Sequence, residues 1–329
     1  MTLFIFNPET DFALASSSAN YTPPRAVSEM RKKDSLIPAV FADNGDAILL
    51  LDTADEQFLS KQKYYSLLKA KNLKTIGLNE LADDTQSVSR IMPWGWNPSL
   101  ARLLAEAGIA QSLLPDKATL DTYRRLSHRR TVIPFMQLLQ SLNPKLKFPL
   151  PLELKNMAEI EEFVDAYPGV YLKAPWSGAG RGIATTRRRG RKLLLEWASG
   201  TLRRQGSLIA EKEFDRVADF ASEWVIENGY PRYIGLSFFE TSPDGRYHGN
   251  LSAPQEVIME KILENVPGFD MEIVSTQQKV LASLIAPHYS GPLGIDMFAD
   301  SSGAINPCVE INLRFTMGHV AIAEEKGSI

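Results

Sequence analysis

Cysteine occurs once in 329 residues, at Cys308. That excludes an intrachain disulfide framework and fits a reducing compartment, so a cytoplasmic protein is expected. His128, His248, His288 and His319 show no metal-ligand spacing. No apolar run approaches the roughly 18 residues needed to span a bilayer, so no membrane partner is expected. The apolar start lacks a basic region, and Glu9 and Asp11 interrupt it, which argues against a signal peptide. Charge of either sign is not in excess. The 36 basic and 39 acidic residues leave −3, which argues against a chain that meets nucleic acid with its whole surface. There is no internal repeat and no low-complexity tract.

What is present is ordinary globular composition. At 44% hydrophobic and 23% charged residues, disorder, collagen and coiled coil are excluded for the chain as a whole. The length suits about two domains of ~150 residues. Folding at this size buries about 75% of the unfolded chain's surface, so no covalent staple is required.

The first 114 residues read as an α/β domain. Short apolar runs at 3–6, 47–51 and 74–78 have the character of buried strands. A helix is expected over 56–70. Asn97-Pro98 supplies a cap and a first-turn proline for another helix, which stops at Gly108. Alternating strands and helices imply a parallel sheet. From Pro115 onward the expectation is a long helical stretch over 121–142 with a break near Pro134. A proline-rich loop over 144–152 and a helix over 158–167 follow. Strands are expected at 170–173, 183–186 and 207–210, with a helix over 191–202. Pro243-Asp244-Gly245 marks a hairpin. A helix over 271–285 precedes two closing strands, 294–298 and 306–311.

Two constellations carry chemistry. The first is strand-borne Lys173 followed by Ser177-Gly178-Ala179-Gly180-Arg181-Gly182. Glycines at alternate positions let backbone N–H groups approach a ligand. Ser177 and Arg181 add a hydroxyl and a fixed positive charge suited to phosphate oxygens. It is neither a Walker A loop nor a dinucleotide fingerprint. A hairpin without a ligand would also explain the glycines, but an interior strand lysine needs an anionic partner.

The second is Asp296 in one closing strand with Glu310 and Asn312 in the next. Glu310 and Asn312 share a strand face, and the intervening turn can bring Asp296 opposite them. Two carboxylates and an amide oxygen suit Mg²⁺. Arg314 falls on the same alternation and could reach an anion beside such a metal. An amphipathic strand with solvated acids is the competing explanation.

Taken together and in this order, these motifs resemble the ATP-grasp enzymes over about 115–318. Lys173, Ser177, Gly178, Gly180 and Gly182 match the family's ATP lysine and phosphate loop. Glu211, Lys212 and Phe214 match its adenine-binding hinge strand, and Asp219 lies near its ribose acid. Asp296, Glu310 and Asn312 match the metal triad, Arg314 matches an arginine that often contacts phosphate or substrate, and Arg181 lies within the matched phosphate loop. The family's earlier lysine has no match; Arg124, Arg125, Arg129 and Arg130 occupy that stretch.

The resemblance implies a Rossmann-like α/β domain over 1–114. It is followed by an α+β ATP-grasp fold of two subdomains, 115–206 and 207–329. It further implies ATP and Mg²⁺ as cofactors, with carboxylate and amine substrates joined through an acyl phosphate. A phosphotransferase and a non-catalytic nucleotide binder are the alternatives.

Glu9, after the first strand, could hold a substrate ammonium, or simply belong to a capped loop. Trp94 could wall a pocket or pack between domains, and His248 could face the site or the solvent. The run Arg187-Arg-Arg-Gly-Arg-Lys192 reads as a solvated turn rather than a nucleic-acid patch. Cys308 reads as a small buried residue.

Overall fold

The computed structural model describes residues 1–178, 182–241 and 247–327. Two compact units emerge, one of residues 1–124 with 323–329, the other of residues 125–322. Among the described residues no helix is long and apolar enough to cross a membrane.

The first unit is built on four parallel strands: β1 (Thr2–Ile5), β2 (Ala47–Leu50), β3 (Lys74–Gly77) and β4 (Arg90–Pro93). Their order in the sheet is β3-β2-β1-β4. Alternation along β1 and β2 feeds two separate cores. Leu3, Ile5, Ala47 and Leu49 pack on one face with Leu81, Leu100 and Leu104. Phe4, Ile48 and Leu50 pack on the other with Leu36, Leu59 and Leu68. Both faces are therefore covered, as parallel sheets require.

The helix expected over 56–70 is two short ones, Glu56–Leu59 and Tyr65–Ala70. Gln62 lies between them and ties Leu36 N and Lys32 O with its side chain, a tertiary bond that holds a turn there. Strand β4 was not anticipated, because its exposed Arg90 and terminal Pro93 hide an apolar segment.

The second unit holds two antiparallel sheets. One contains β5 (Leu152–Leu154), β6 (Val170–Lys173), β7 (Ile183–Thr185) and β8 (Leu208–Lys212), in the order β5-β8-β6-β7. Helices Met157–Ala166 and Thr186–Gln205 supply its core, through Ile160, Phe163 and Leu194 against Val170, Leu172 and Leu208. The other contains β9 (Arg216–Glu227), β10 (Tyr230–Thr241), β11 (Tyr247–Asn250), β12 (Gly291–Asp300) and β13 (Ile305–Asn312). Their order is β11-β10-β9-β12-β13. The β9–β10 hairpin turns on Asn228 and Gly229, both at positive φ, the mirror-image turn that suits strand twist.

The break in the 121–142 stretch falls at the turn Arg129–Thr131, between helices Lys117–Leu126 and Val132–Leu142. Pro134 does not break it. It lies in the first turn of the second helix, where its missing N–H costs nothing. Residues 242–246, which contain the Pro243-Asp244-Gly245 signal, lie outside the described residues, but β10 and β11 pair antiparallel on either side.

Candidate functional site

Lys173 ends β6 with only 2% of its surface exposed. Its ammonium donates to Glu211 Oε1 at 2.6 Å on the neighbouring strand β8. Burial lowers the lysine's pKa; Glu211 opposes that shift, while the nearby guanidinium groups of Arg216 and Arg129 add to it. Three cations therefore converge, and that arrangement suits a polyanion.

The glycine loop begins at this point. Ala174 N donates to Gly182 O at 2.8 Å and closes the loop's base. A Cβ on Gly182 would collide with the Ser177 side chain, so only glycine permits this closure. Ser177 is buried. Gly180 and Arg181, both candidates from the sequence, lie outside the described residues.

Arg129 is the residue that sequence reasoning failed to single out from four arginines. It is 5% exposed and reaches four acceptors. One terminal nitrogen donates to Ala174 O at 2.6 Å and Ser177 Oγ at 2.5 Å. The other donates to Ser177 O at 3.1 Å and Glu310 Oε1 at 2.7 Å. Its Nε is buried without a partner among the described residues. Only tertiary burial distinguishes it from Arg130, whose side chain is 46% exposed.

On the larger sheet, Asp296 of β12 and Glu310 of β13 are direct partners, with a register shift just after Asp296. Such irregularities re-aim side chains beside functional sites. Burial, then the charges of Glu310 and Glu223, push the Asp296 carboxyl up to about 7. Asn312 donates from Nδ2 to Asp296 Oδ2 at 3.2 Å and accepts from Arg314 at 3.0 Å. The three sequence candidates thus meet. Opposed carboxylates repel, and a divalent cation would relieve the strain that raises Asp296, so this donor set fits Mg²⁺. The buried Cys308 thiol lies within the field of both constellations. Burial and the charges of Asp296, Glu211 and Glu310 raise its pKa, while Lys173 opposes them.

Beyond Glu211, Lys212 lies over the Phe214 ring at 5.3 Å. Phe214 packs with Phe148 and Phe298 at 4.6 and 5.7 Å between centroids. Arg216, also unanticipated, lies 4.2 Å over Phe298 and shares Asp219 with Thr241. Its Nε is another buried donor without a partner among the described residues.

Behind the acids, Glu223 is fully buried and accepts from Ser237 Oγ at 2.9 Å and Thr316 Oγ1 at 2.8 Å. His319 Nδ1 lies 3.0 Å from it. This network ties the segment after Asn312 to β9.

In the first unit, Glu9 and Asp52 follow β1 and β2 and share Arg31. Arg31 donates to Glu9 Oε1 at 2.6 Å and to both Asp52 oxygens at 2.7 and 2.9 Å. Glu9 Oε2 is buried without a partner among the described residues, and burial raises the carboxyl's pKa. Trp94 packs edge-on to Phe6 at 5.0 Å. His248 is exposed on β11. The arginine run lies in the helix Thr186–Gln205; Arg191 pairs with Asp165 and Arg187 with Glu213.

No protein-family model and no curated protein matches the chain. Solved structures do. A biotin carboxylase–βγ-ATP complex from Campylobacter jejuni is 13% identical with a TM-score of 0.57, covering 98% of this chain and 67% of that one. The biotin carboxylase domain of Hydrogenobacter thermophilus 2-oxoglutarate carboxylase, with MgADP, ADP and bicarbonate, is 15% identical with a TM-score of 0.54, covering 100% and 69%. N5-carboxyaminoimidazole synthetase from Staphylococcus aureus with ADP is 15% identical with a TM-score of 0.50, covering 96% and 70%. The chain has the ATP-grasp fold.

Proposed function

We propose that the protein is an ATP-dependent ligase joining a carboxylate to an amine. The observation that carries this reading is the buried Lys173, within the field of Arg129 and Arg216 and paired with Glu211. So much interior positive charge beside a glycine loop suits the phosphates of a nucleotide. In this reading the halves of the fold, 115–206 and 207–329, grip ATP between them.

Lys173, Ser177, Gly178, Gly180, Gly182 and Arg129 hold the phosphates. Glu211, Lys212, Phe214 and Asp219 hold the nucleoside. Asp296, Glu310 and Asn312 hold Mg²⁺, which when bound neutralises phosphate charge. Arg314 and Arg181 steady the transferring group. The substrate carboxylate attacks the γ-phosphorus and ADP leaves. The amine then attacks the acyl carbon, expelling inorganic phosphate and losing a proton. No protein nucleophile is needed, because positioning and charge neutralisation lower the barrier. Glu9 already shares Arg31 with Asp52, and Trp94 and His248 are left to packing and surface.

The test is an ADP-release screen with Mg²⁺ over paired pools of carboxylates and amines. ADP with free phosphate and an amide supports the ligase. A phosphorylated product would make the protein a kinase instead.

A further inference from the structure

We propose that Arg129 is the resident counter-ion of the acidic triad. Its guanidinium holds Glu310 where a divalent cation would, and phosphate must draw it away before the metal binds. The inference rests on the reading of Asp296, Glu310 and Asn312 as metal ligands.

The argument is one of donors and acceptors. A guanidinium has five N–H groups. In Arg129 four are engaged, three of them by Ala174 O, Ser177 Oγ and Ser177 O at the mouth of the glycine loop. Those three hold the side chain to the loop. The fourth goes to Glu310 Oε1, and the fifth, Nε–H, has no partner among the described residues. Nε and a terminal nitrogen form the edge on which an anion with two oxygens sits in fork geometry. A phosphate on that edge would satisfy the orphaned Nε–H and take the N–H now given to Glu310. Glu310 would then be released to oppose Asp296 as a second negative ligand. Until that exchange, a metal must compete with a positive charge already 2.7 Å from Glu310. The same side chain so links occupation of the phosphate loop to readiness of the metal site.

The test measures Mn²⁺ affinity by electron paramagnetic resonance, with and without the nonhydrolysable analogue AMP-PNP. It compares wild type, Arg129→Gln, Arg129→Lys and Arg129→Gln/Glu310→Gln. Without nucleotide, Arg129→Gln should bind Mn²⁺ about tenfold more tightly than wild type, the scale of one partly buried charge contact. Arg129→Lys keeps the charge without the fork and should fall between. Glu310→Gln in the double variant should erase the gain. With AMP-PNP the advantage should vanish, because phosphate has already drawn the wild-type arginine away. If Arg129→Gln does not fold, Arg129→Lys carries the test. Nucleotide-free Mn²⁺ affinity equal to wild type in every folded single variant overturns the counter-ion role, even where wild type binds Mn²⁺ with AMP-PNP. Failure of wild type to bind Mn²⁺ with AMP-PNP overturns the metal site itself, and this inference with it.

Discussion

Lys173 Nζ and Glu211 Oε1 lie 2.6 Å apart on adjacent antiparallel strands, each the other's compensation for burial. Their register is diagonal: Tyr171 faces Glu211, and Lys173 faces Ile209. The pair therefore holds a ready cation at the loop's entrance without leaving a bare charge inside.

Breaking this pair should have two separable effects. Lys173→Met leaves Glu211 buried and alone, at a cost of about 3–5 kcal/mol in stability. It should also weaken nucleotide binding by roughly 10- to 100-fold, the worth of a charge-assisted hydrogen bond. Lys173→Met/Glu211→Gln should recover much of the stability and none of the affinity. Chemical denaturation and nucleotide titration on both variants check this. Affinity equal to wild type in a folded Lys173→Met protein would remove the lysine from the phosphate site.

Two glycines should fail in different ways. A Cβ at Gly318 would run into the buried Glu223 carboxylate and Ser237, so Gly318→Ala should cost about 1–3 kcal/mol through overpacking. A Cβ at Gly182 would meet Ser177 and Ala174 at the base of the loop. Gly182→Ala should also cost stability but, unlike Gly318→Ala, should lower nucleotide affinity as well. Melting curves with and without ATP–Mg²⁺ separate the two. A nucleotide-induced shift in Gly182→Ala as large as in wild type would refute the loop's fit.

Much of this was legible in the sequence, for identifiable reasons. β1 and β2 announced themselves because strands buried on both faces read as unbroken apolar runs. Asp296 and Glu310 could be matched because a turn between two short strands restricts their register. The hairpin of β9 and β10 escaped notice because polar residues interrupt its buried run. Asp219, Ser222 and Glu223 are all buried in β9, and each is satisfied by a partner far along the chain. Arg129 and Arg216 were hidden for the same reason. What marks Arg129 is burial beside Glu310, and what marks Arg216 is its place over Phe298, contacts that only the tertiary fold makes.

Glu9 should leave a pH signature. Burial raises its folded pKa above the ordinary 4.5. Ionised Glu9 thus costs stability, a penalty absent below pH 4.5 and fully present above the folded pKa. Wild type should therefore lose stability relative to Glu9→Gln as pH rises through that window. Unfolding free energies of both proteins from pH 4 to 8 check it. A constant difference across the range would show that Arg31 already compensates the carboxylate in full.

The last prediction concerns Glu310. Glu310→Gln keeps the side chain's shape and removes one charge from a pair that burial and repulsion already strain. Folding should be spared, since Arg129 can still donate to the amide oxygen and keeps its three loop contacts. Nucleotide should still bind, because Lys173 and the aromatic wall around Phe214 are untouched. Turnover should fall much further, by about 100-fold or more, because charge on the bridging phosphate oxygens matters most in the transition state. Removing Mg²⁺ from wild type should produce the same pattern. The measurement is kcat beside nucleotide affinity for wild type and variant, on whichever substrate pair the ADP-release screen identifies. Equal, small losses in both would mean that Glu310 does not hold the metal. The paired acids of β12 and β13 would then be a polar strand face, and the protein would be better described as a nucleotide binder than as a ligase.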